Sequence, residues 1–284
     1  MHYDFIHWRG HTIRIKEIGR GKPLLLVNGL GGHTDMWAPL AERLTSRRII
    51  SFDAPGTGRS STPPLPVSIA ELADLAAAVL DYHNVISADV VGYSYGGAVA
   101  QQLAYQHPSR IRRLVLAATT FGIGSTPGCY RAMSVLATPF RYYSETYFER
   151  TADTAYGGRV GRNPEIRQRM IVARRRHPPS SYGYAMQVLG GASWSSWHFL
   201  DQIQHKTLVV SGDDDPLIPV ANAKMLAQRI PQATLQIIER GGHLMLWDDA
   251  RNLGRLIREF INAPEKGSHA GSVHASGHEV SAGH

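Results

Sequence analysis

Asp89-Val90-Val91-Gly92-Tyr93-Ser94-Tyr95-Gly96-Gly97 is the stretch that decides the fold of this chain. An apolar strand runs into Gly-x-Ser-x-Gly and a helix follows, so one serine stands at the tip of a sharp strand-to-helix turn. The chemistry needs small residues there. A nucleophile on a strained backbone leaves no room for a Cβ two positions before it or two after. The helix Ala98-Val99-Ala100-Gln101-Gln102-Leu103-Ala104, stopped by His107-Pro108, aims its N-terminal amides at charge formed when Ser94 attacks a carbonyl. The competing reading is an ordinary glycine-rich βα turn.

Outward from this turn, apolar runs alternate with helical patterns. That alternation argues for an α/β class fold, a mostly parallel central sheet flanked by helices. Thr12–Ile18 reads as an early edge strand, and Pro23–Val27 and Arg48–Phe52 as short buried strands. Ser68–Tyr82 is a helix opened by a Ser68/Glu71 capping box. A strand is expected at Ile111–Ala117. The alternation resumes with strand Thr207–Ser211, helix Val220–Ile230, strand Thr234–Ile238 and helix Asp249–Ile261. Residues 1–121 and 206–263 are thus expected to form the core.

The interval 122–205 breaks this rhythm. It reads as mostly helical, interrupted at Pro127, Pro139, Pro164 and Pro178-Pro179, and is expected to be a helical lid inserted after the sixth strand. From Phe121 to Leu200 lie ten arginines, no lysine, four acids and thirteen of the 24 aromatic residues. The aromatic concentration favours an apolar pocket between lid and sheet. The charge accounts for most of the net +7. A solvated helix face explains it, and no nucleic-acid motif accompanies it. Arg174 and Arg175 are taken as part of a basic face that could meet an anionic granule or membrane surface.

The remaining composition narrows the class. At 284 residues with 43% apolar and 19% charged residues, the chain can bury a large core. No apolar run reaches the roughly 18–20 residues that cross a bilayer. Met1-His2-Tyr3-Asp4-Phe5 lacks the pattern of a secretion signal, and the single Cys129 cannot form an internal disulfide. The expectation is a cytoplasmic protein without transmembrane segment, metal or cofactor. Residues 264–284 carry His269, His274, His278 and His284 without apolar periodicity and are expected to form a disordered tail.

A serine hydroxyl needs a base, and the base needs an anion to fix its tautomer. Strand Leu208-Val209-Val210 runs into Asp213-Asp214-Asp215-Pro216, and strand Leu235-Gln236-Ile237-Ile238 runs into Gly241-Gly242-His243. The carboxyl ends of adjacent strands are where an open α/β sheet places its site. Ser94, Asp215 and His243 are the catalytic candidates, Asp215 because it opens the turn four residues before Pro219. Backbone amides of Tyr95 and of Leu30, in the loop Asn28-Gly29-Leu30-Gly31-Gly32, are the candidate oxyanion donors. Neither phosphate-binding glycine pattern is present in that loop. Asn28, Trp194, Trp197 and Leu244 are the pocket candidates.

Together these motifs, with Asp53-Ala-Pro-Gly-Thr-Gly-Arg-Ser60, resemble the α/β-hydrolase superfamily from about Ile6 to Ile261. The resemblance implies the triad Ser94, Asp215, His243, oxyanion amides on Leu30 and Tyr95, and a shaping turn without catalytic role at Asp53–Ser60. Within the superfamily the chain is similar to the intracellular depolymerases of medium-chain-length polyhydroxyalkanoates. Tyr156-Gly157-Gly158, Arg162-Asn163-Pro164, Ser193-Trp194-Ser195-Ser196 and Asn28 carry that similarity; Tyr95 departs from it, standing where tryptophan is frequent. The resemblance implies a polymeric or small 3-hydroxyacyl ester substrate. Carbon–carbon bond hydrolases, haloperoxidase-like perhydrolases and hydrolase-like ligand receptors resemble the same scaffold and stay open here.

Overall fold

Eight strands form one sheet in the order β1-β2-β4-β3-β5-β6-β7-β8 in the computed structural model, which describes residues 2–264. They are β1 (His2–Trp8), β2 (His11–Ile18), β3 (Lys22–Val27), β4 (Arg47–Phe52), β5 (Ala88–Tyr93), β6 (Ile111–Ala117), β7 (Thr207–Gly212) and β8 (Ala233–Ile238). From β4 to β8 every pairing is parallel; β1 and β2 join antiparallel. The tail histidines and the expected tail disorder lie outside the described residues.

The outer edge differs from the expectation. Thr12–Ile18 is a second strand, covered by β1 along its length from His2↔Glu17 to Trp8↔His11. The hairpin turns at Arg9-Gly10, with φ of 45° and 81°. Both central residues are left-handed, as a tight hairpin requires, but arginine is a poor advertisement for that conformation.

Central strands β5 and β7 are buried at every position, because helices cover both faces. The helices are α1 (Ala38–Ala41), α2 (Ile69–Tyr82), α3 (Tyr95–Gln106), α4 (Tyr130–Leu136), α5 (Phe140–Tyr143), α6 (Glu145–Tyr156), α7 (Gly158–Arg162), α8 (Pro164–Arg175), α9 (Ser181–Ala192), α10 (Val220–Arg229), α11 (Met245–Asp248) and α12 (Ala250–Asn262). The Ser68 capping box forms: Ser68 Oγ accepts from Glu71 N while Glu71 Oε2 accepts from Ser68 N at 2.9 Å. Such a cap contributes about 1 kcal/mol. Helices α2 and α3 seal one face of the sheet through Leu72, Leu75, Val79 and Leu103. Trp37, Leu40, Leu253 and Ile257 seal the other.

Helices α4–α9 all fall between β6 and β7, neighbours that pair from Leu114↔Thr207 to Ala117↔Val210. Chain entry and exit touch at an antiparallel bridge, Gly122↔Ser195. This helical segment has its own apolar cluster, including Phe148, Ala152, Val160, Ile166 and Met170, which also takes in Leu217 and Leu244 of the core loops.

Candidate active site

Ser94 follows β5 directly and sits at φ 53°, ψ −121° as the residue before α3. A non-glycine residue held there costs on the order of 1–3 kcal/mol, so the surroundings must over-determine it. They do so through three hydrogen bonds: Ser94 N to Ala117 O at 2.9 Å, Gly97 N to Ser94 O at 2.8 Å, and Thr119 Oγ1 to Ser94 O at 2.7 Å. The flanking glycines are steric necessities. A Cβ on Gly92 would lie 2.5 Å from the Ala100 side chain, and one on Gly96 would lie 2.1 Å from Val27 O.

His243 Nε2 lies 3.1 Å from Ser94 Oγ, and His243 Nδ1 lies 2.8 Å from Asp215 Oδ2. Asp215 and His243 are both buried. Asp215 Oδ1 accepts from Leu217 N and Ile218 N, each at 2.9 Å, which fixes the carboxylate plane. That carboxylate accepts a hydrogen bond from Nδ1–H, which leaves the Nε2 lone pair facing the serine hydroxyl. The neighbouring acids are turned elsewhere. Asp213 Oδ1 accepts from Arg240 N, while Asp214 Oδ2 accepts from Gly158 N and Arg162 Nη2.

The histidine loop is clamped from two sides. His243 N donates to Tyr156 O at 2.7 Å, and Tyr93 Oη donates to His243 O at 2.7 Å. Burial pushes the Tyr93 hydroxyl well up, so it stays a donor. Asp248, just beyond, accepts from Val160 N, and burial raises its carboxyl to about 6. Residues 156–160 therefore wedge beneath the loop that carries the base.

On the opposite side, Gly29 brings the loop 28–32 against the serine; its Cβ would meet Ser94 Cβ at 3.2 Å. Gly31 N is already bonded to Gln187 Oε1 at 2.9 Å, and Leu30 O accepts from Tyr142 Oη at 2.7 Å. Tyr95 N opens α3 and has no acceptor within the helix. The Asp53 turn sits apart from this chemistry: Asp53 is fully buried and accepts from Thr34 N and Arg59 N.

A narrow, partly open cavity adjoins Ser94 and His243. Asn28 and Leu244 line it, and Asn28 Nδ2 is a buried donor without an acceptor. Trp194 and Trp197 do not line it. Trp194 Nε1 donates to Gln102 Oε1 at 2.7 Å, and Trp197 lies over Phe121 beside a separate surface groove. Both belong to the segment that ties the foot of the helical insertion to α3, where Ser196 Oγ donates to Gln101 Oε1. One member of the expected basic face is placed differently. Arg175 is exposed and meets Glu145, but Arg174 is 3% exposed and lines the catalytic cavity, as does buried Arg141. The sequence placed Arg174 on a basic outer face and did not single out Arg141. One signal was available for Arg174: it continues the four-residue spacing of Ile166 and Met170, both buried. Cys129 is exposed in the loop before α4. Among the described residues no three His, Cys, Asp or Glu side chains gather as a metal-ligand set, and no helix is long and apolar enough to cross a membrane.

The chain matches the family described as alpha/beta hydrolase fold across residues 22–250. It is 42% identical to the poly(3-hydroxyalkanoate) depolymerase of Ectopseudomonas oleovorans over 240 residues, 84% of each chain. It is 29% identical to the 2-hydroxymuconate semialdehyde hydrolase of Pseudomonas sp. (strain CF600), over 89% of this chain and 91% of that one. Among solved structures, a thermophilic esterase from Thermogutta terrifontis superposes with a TM-score of 0.76 at 25% identity, covering 92% and 98% of the two chains. By strand order, by the motifs at the carboxyl edge and by this match over most of its length, the chain belongs to the alpha/beta hydrolase fold family.

Proposed function

We propose that this chain is a serine carboxylic-ester hydrolase that works through an acyl-enzyme on apolar 3-hydroxyacyl esters, in the manner of the depolymerase it is similar to. The observation that carries the reading is the hydrogen-bonded line Ser94 Oγ, His243, Asp215 beside an apolar cavity. Ser94 Oγ attacks the ester carbonyl carbon as His243 Nε2 takes its proton. The developing oxyanion accepts from the Leu30 and Tyr95 amides. The imidazolium, held by Asp215, returns the proton to the departing alcohol. Water, activated by the same nitrogen, then releases the acid and restores the serine.

In this reading residues 122–205 are the lid over a core of residues 1–121 and 206–263. Tyr130, Phe140, Val172 and Leu189, each more than half exposed, give that lid an apolar outer surface. Exposed Arg131, Arg150, Arg159, Arg162, Arg169, Arg175 and Arg176 give the same segment a basic surface, so apolar and charged groups together suit contact with polymer granules in the cytoplasm. The reading needs no cofactor.

The test is hydrolysis of p-nitrophenyl esters from acetate to palmitate beside a poly(3-hydroxyoctanoate) suspension, with wild type and Ser94→Ala. Serine-dependent release of 3-hydroxy acids from the polymer supports the depolymerase reading. Turnover confined to small esters leaves a general carboxylesterase, and no ester turnover ends the proposal.

A further inference from the structure

Two cations stand in the catalytic cavity without an anion. Arg141 of α5 and Arg174 of α8 line the same cavity as Ser94 and His243, and are 4% and 3% exposed. A buried charge needs a partner, and two other buried arginines have carboxylates: Arg14 meets Asp35 and Asp53, and Arg47 meets Asp89. Buried Arg113 instead donates to the carbonyls of Phe260 and Ala263 at the end of α12. Among the described residues no carboxylate lies within the 4.0 Å of an ion pair from Arg141 or Arg174.

Both guanidinium groups lie over aromatic rings. Arg174 Cζ lies 4.5 Å from the Phe148 ring centre and 5.2 Å from those of Tyr142 and Tyr156. Arg141 Cζ lies 4.8 Å from the Tyr142 ring centre and 4.9 Å from that of Tyr184. These rings attract the cations but offer no carboxylate to their N–H donors. Those donors meet only neutral oxygens. Arg141 Nη1 donates to Thr138 O at 2.9 Å, Arg174 Nη1 stands 3.5 Å from Tyr156 Oη, and Arg174 Nε is buried without an acceptor. Arg141 also shares a side-chain hydrogen bond with Tyr184, so every partner of the two guanidinium groups is neutral and none is a carboxylate. Tyr156 also lies nearly parallel to the His243 ring at 6.4 Å, so the Arg174 cage adjoins the catalytic base.

We propose that Arg141 and Arg174 form a carboxylate subsite in the catalytic cavity, and that the preferred substrate is the free-acid end of a short oligoester of hydroxy acids. This rests on the ester-hydrolase reading above and adds to it where along a chain the enzyme cuts. A planar carboxylate offers the charged acceptor that the two guanidinium groups lack. Hydrolysis of any polyester of hydroxy acids generates such a carboxylate, so the reaction supplies the anion that the protein omits. The otherwise apolar lining, with Leu136, Leu217, Leu244 and Leu246, suits the alkyl side chains beside that single charge.

The experiment compares the 3-hydroxyoctanoate dimer as free acid with its methyl ester, measuring kcat/KM for wild type, Arg141→Gln and Arg174→Gln. Charge-assisted hydrogen bonds of ordinary strength predict a free-acid preference of about tenfold or more in wild type, falling toward unity in each variant. Equal turnover of acid and methyl ester overturns the subsite while leaving the ester reading intact. Retention of the preference in folded variants also overturns it. Should the variants not fold, wild type alone decides, because octanoate must inhibit competitively where octanamide does not. Should neither dimer be cleaved, the ester reading falls, and a rise in Tm with octanoate but not octanamide, or its absence, decides the subsite separately.

Discussion

Asp215→Asn separates the proton relay from the architecture that holds it. Asp215 Oδ1 accepts two amides, Leu217 N and Ile218 N at 2.9 Å, so an asparagine must place its carbonyl there. Its NH2 group is then turned toward His243 Nδ1, where Oδ2 now accepts at 2.8 Å. An NH2 group only donates, so the imidazole must present a lone pair at Nδ1 and carry its proton on Nε2. Nε2 is the atom 3.1 Å from Ser94 Oγ, and it can no longer take the serine proton. Reversing the tautomer in a serine protease costs about 10⁴ in kcat, which corresponds to about 5 kcal/mol of transition-state stabilisation. Volume and both backbone hydrogen bonds are retained, so Tm stays within a few degrees. The assay is kcat on p-nitrophenyl octanoate beside Asp213→Asn and Asp214→Asn, whose carboxylates bond to Arg240 N and to Gly158 N. These two should lose less than about tenfold, as loop hydrogen bonds away from the base do. A loss under tenfold in Asp215→Asn, or a larger one in either neighbour, would refute the reasoning.

Ser94→Ala should lower turnover by about 10⁵-fold or more at unchanged fold, read by kcat and circular dichroism, because the three residues act as a unit. Gly97→Ala places a Cβ 2.3–2.6 Å from Thr119, whose hydroxyl holds Ser94 O; overpacking there should cost about 1–3 kcal/mol in urea denaturation and reduce kcat. His33 is buried and its pKa is pushed down to about 4 from 6.5, so the unfolded chain binds the extra proton between those values. The stability advantage of wild type over His33→Gln should therefore grow by up to about 3 kcal/mol as pH rises from 4 to 6.5. Asp248 runs the other way: its carboxyl, raised by burial to about 6 from 3.8, keeps a proton that the unfolded chain has lost. The advantage over Asp248→Asn should shrink by up to about 3 kcal/mol as pH rises from 3.8 to 6, followed by urea denaturation across that range.

Wherever backbone sterics leave one solution, the sequence was legible. Gly92, Gly96 and Gly97 announce the serine turn because any Cβ collides with named atoms. Asp215 could be chosen among three aspartates because a turn before Pro219 needs a side chain that caps its amides, which Asp215 Oδ1 does. The outer hairpin was hidden, since Arg9 in a left-handed turn carries none of the usual Asn-Gly signal. The pocket wall was hidden for a deeper reason. Arginines and aromatics in the interval 122–205 have the same composition whether they face water, each other or the substrate. Trp194 and Arg174 exchanged their expected places because helix packing, which composition does not encode, turned one to the foot of the insertion and the other into the cavity.

The Gly122↔Ser195 bridge gives the helical insertion a narrow neck, with both chain ends leaving the sheet side by side between paired strands. Lengthening a loop closed in this way costs little, roughly 0.6 kcal/mol per doubling. The sheet can thus tolerate large remodelling of what hangs from it, and new specificities can be grafted there without rebuilding the strands. One part is not free to drift. Tyr156 O, Gly158 N and Val160 N grip His243, Asp214 and Asp248, so a graft that discards residues 156–160 would loosen the base itself. The neck makes the insertion exchangeable as a whole, and that five-residue grip marks the portion any replacement must reproduce.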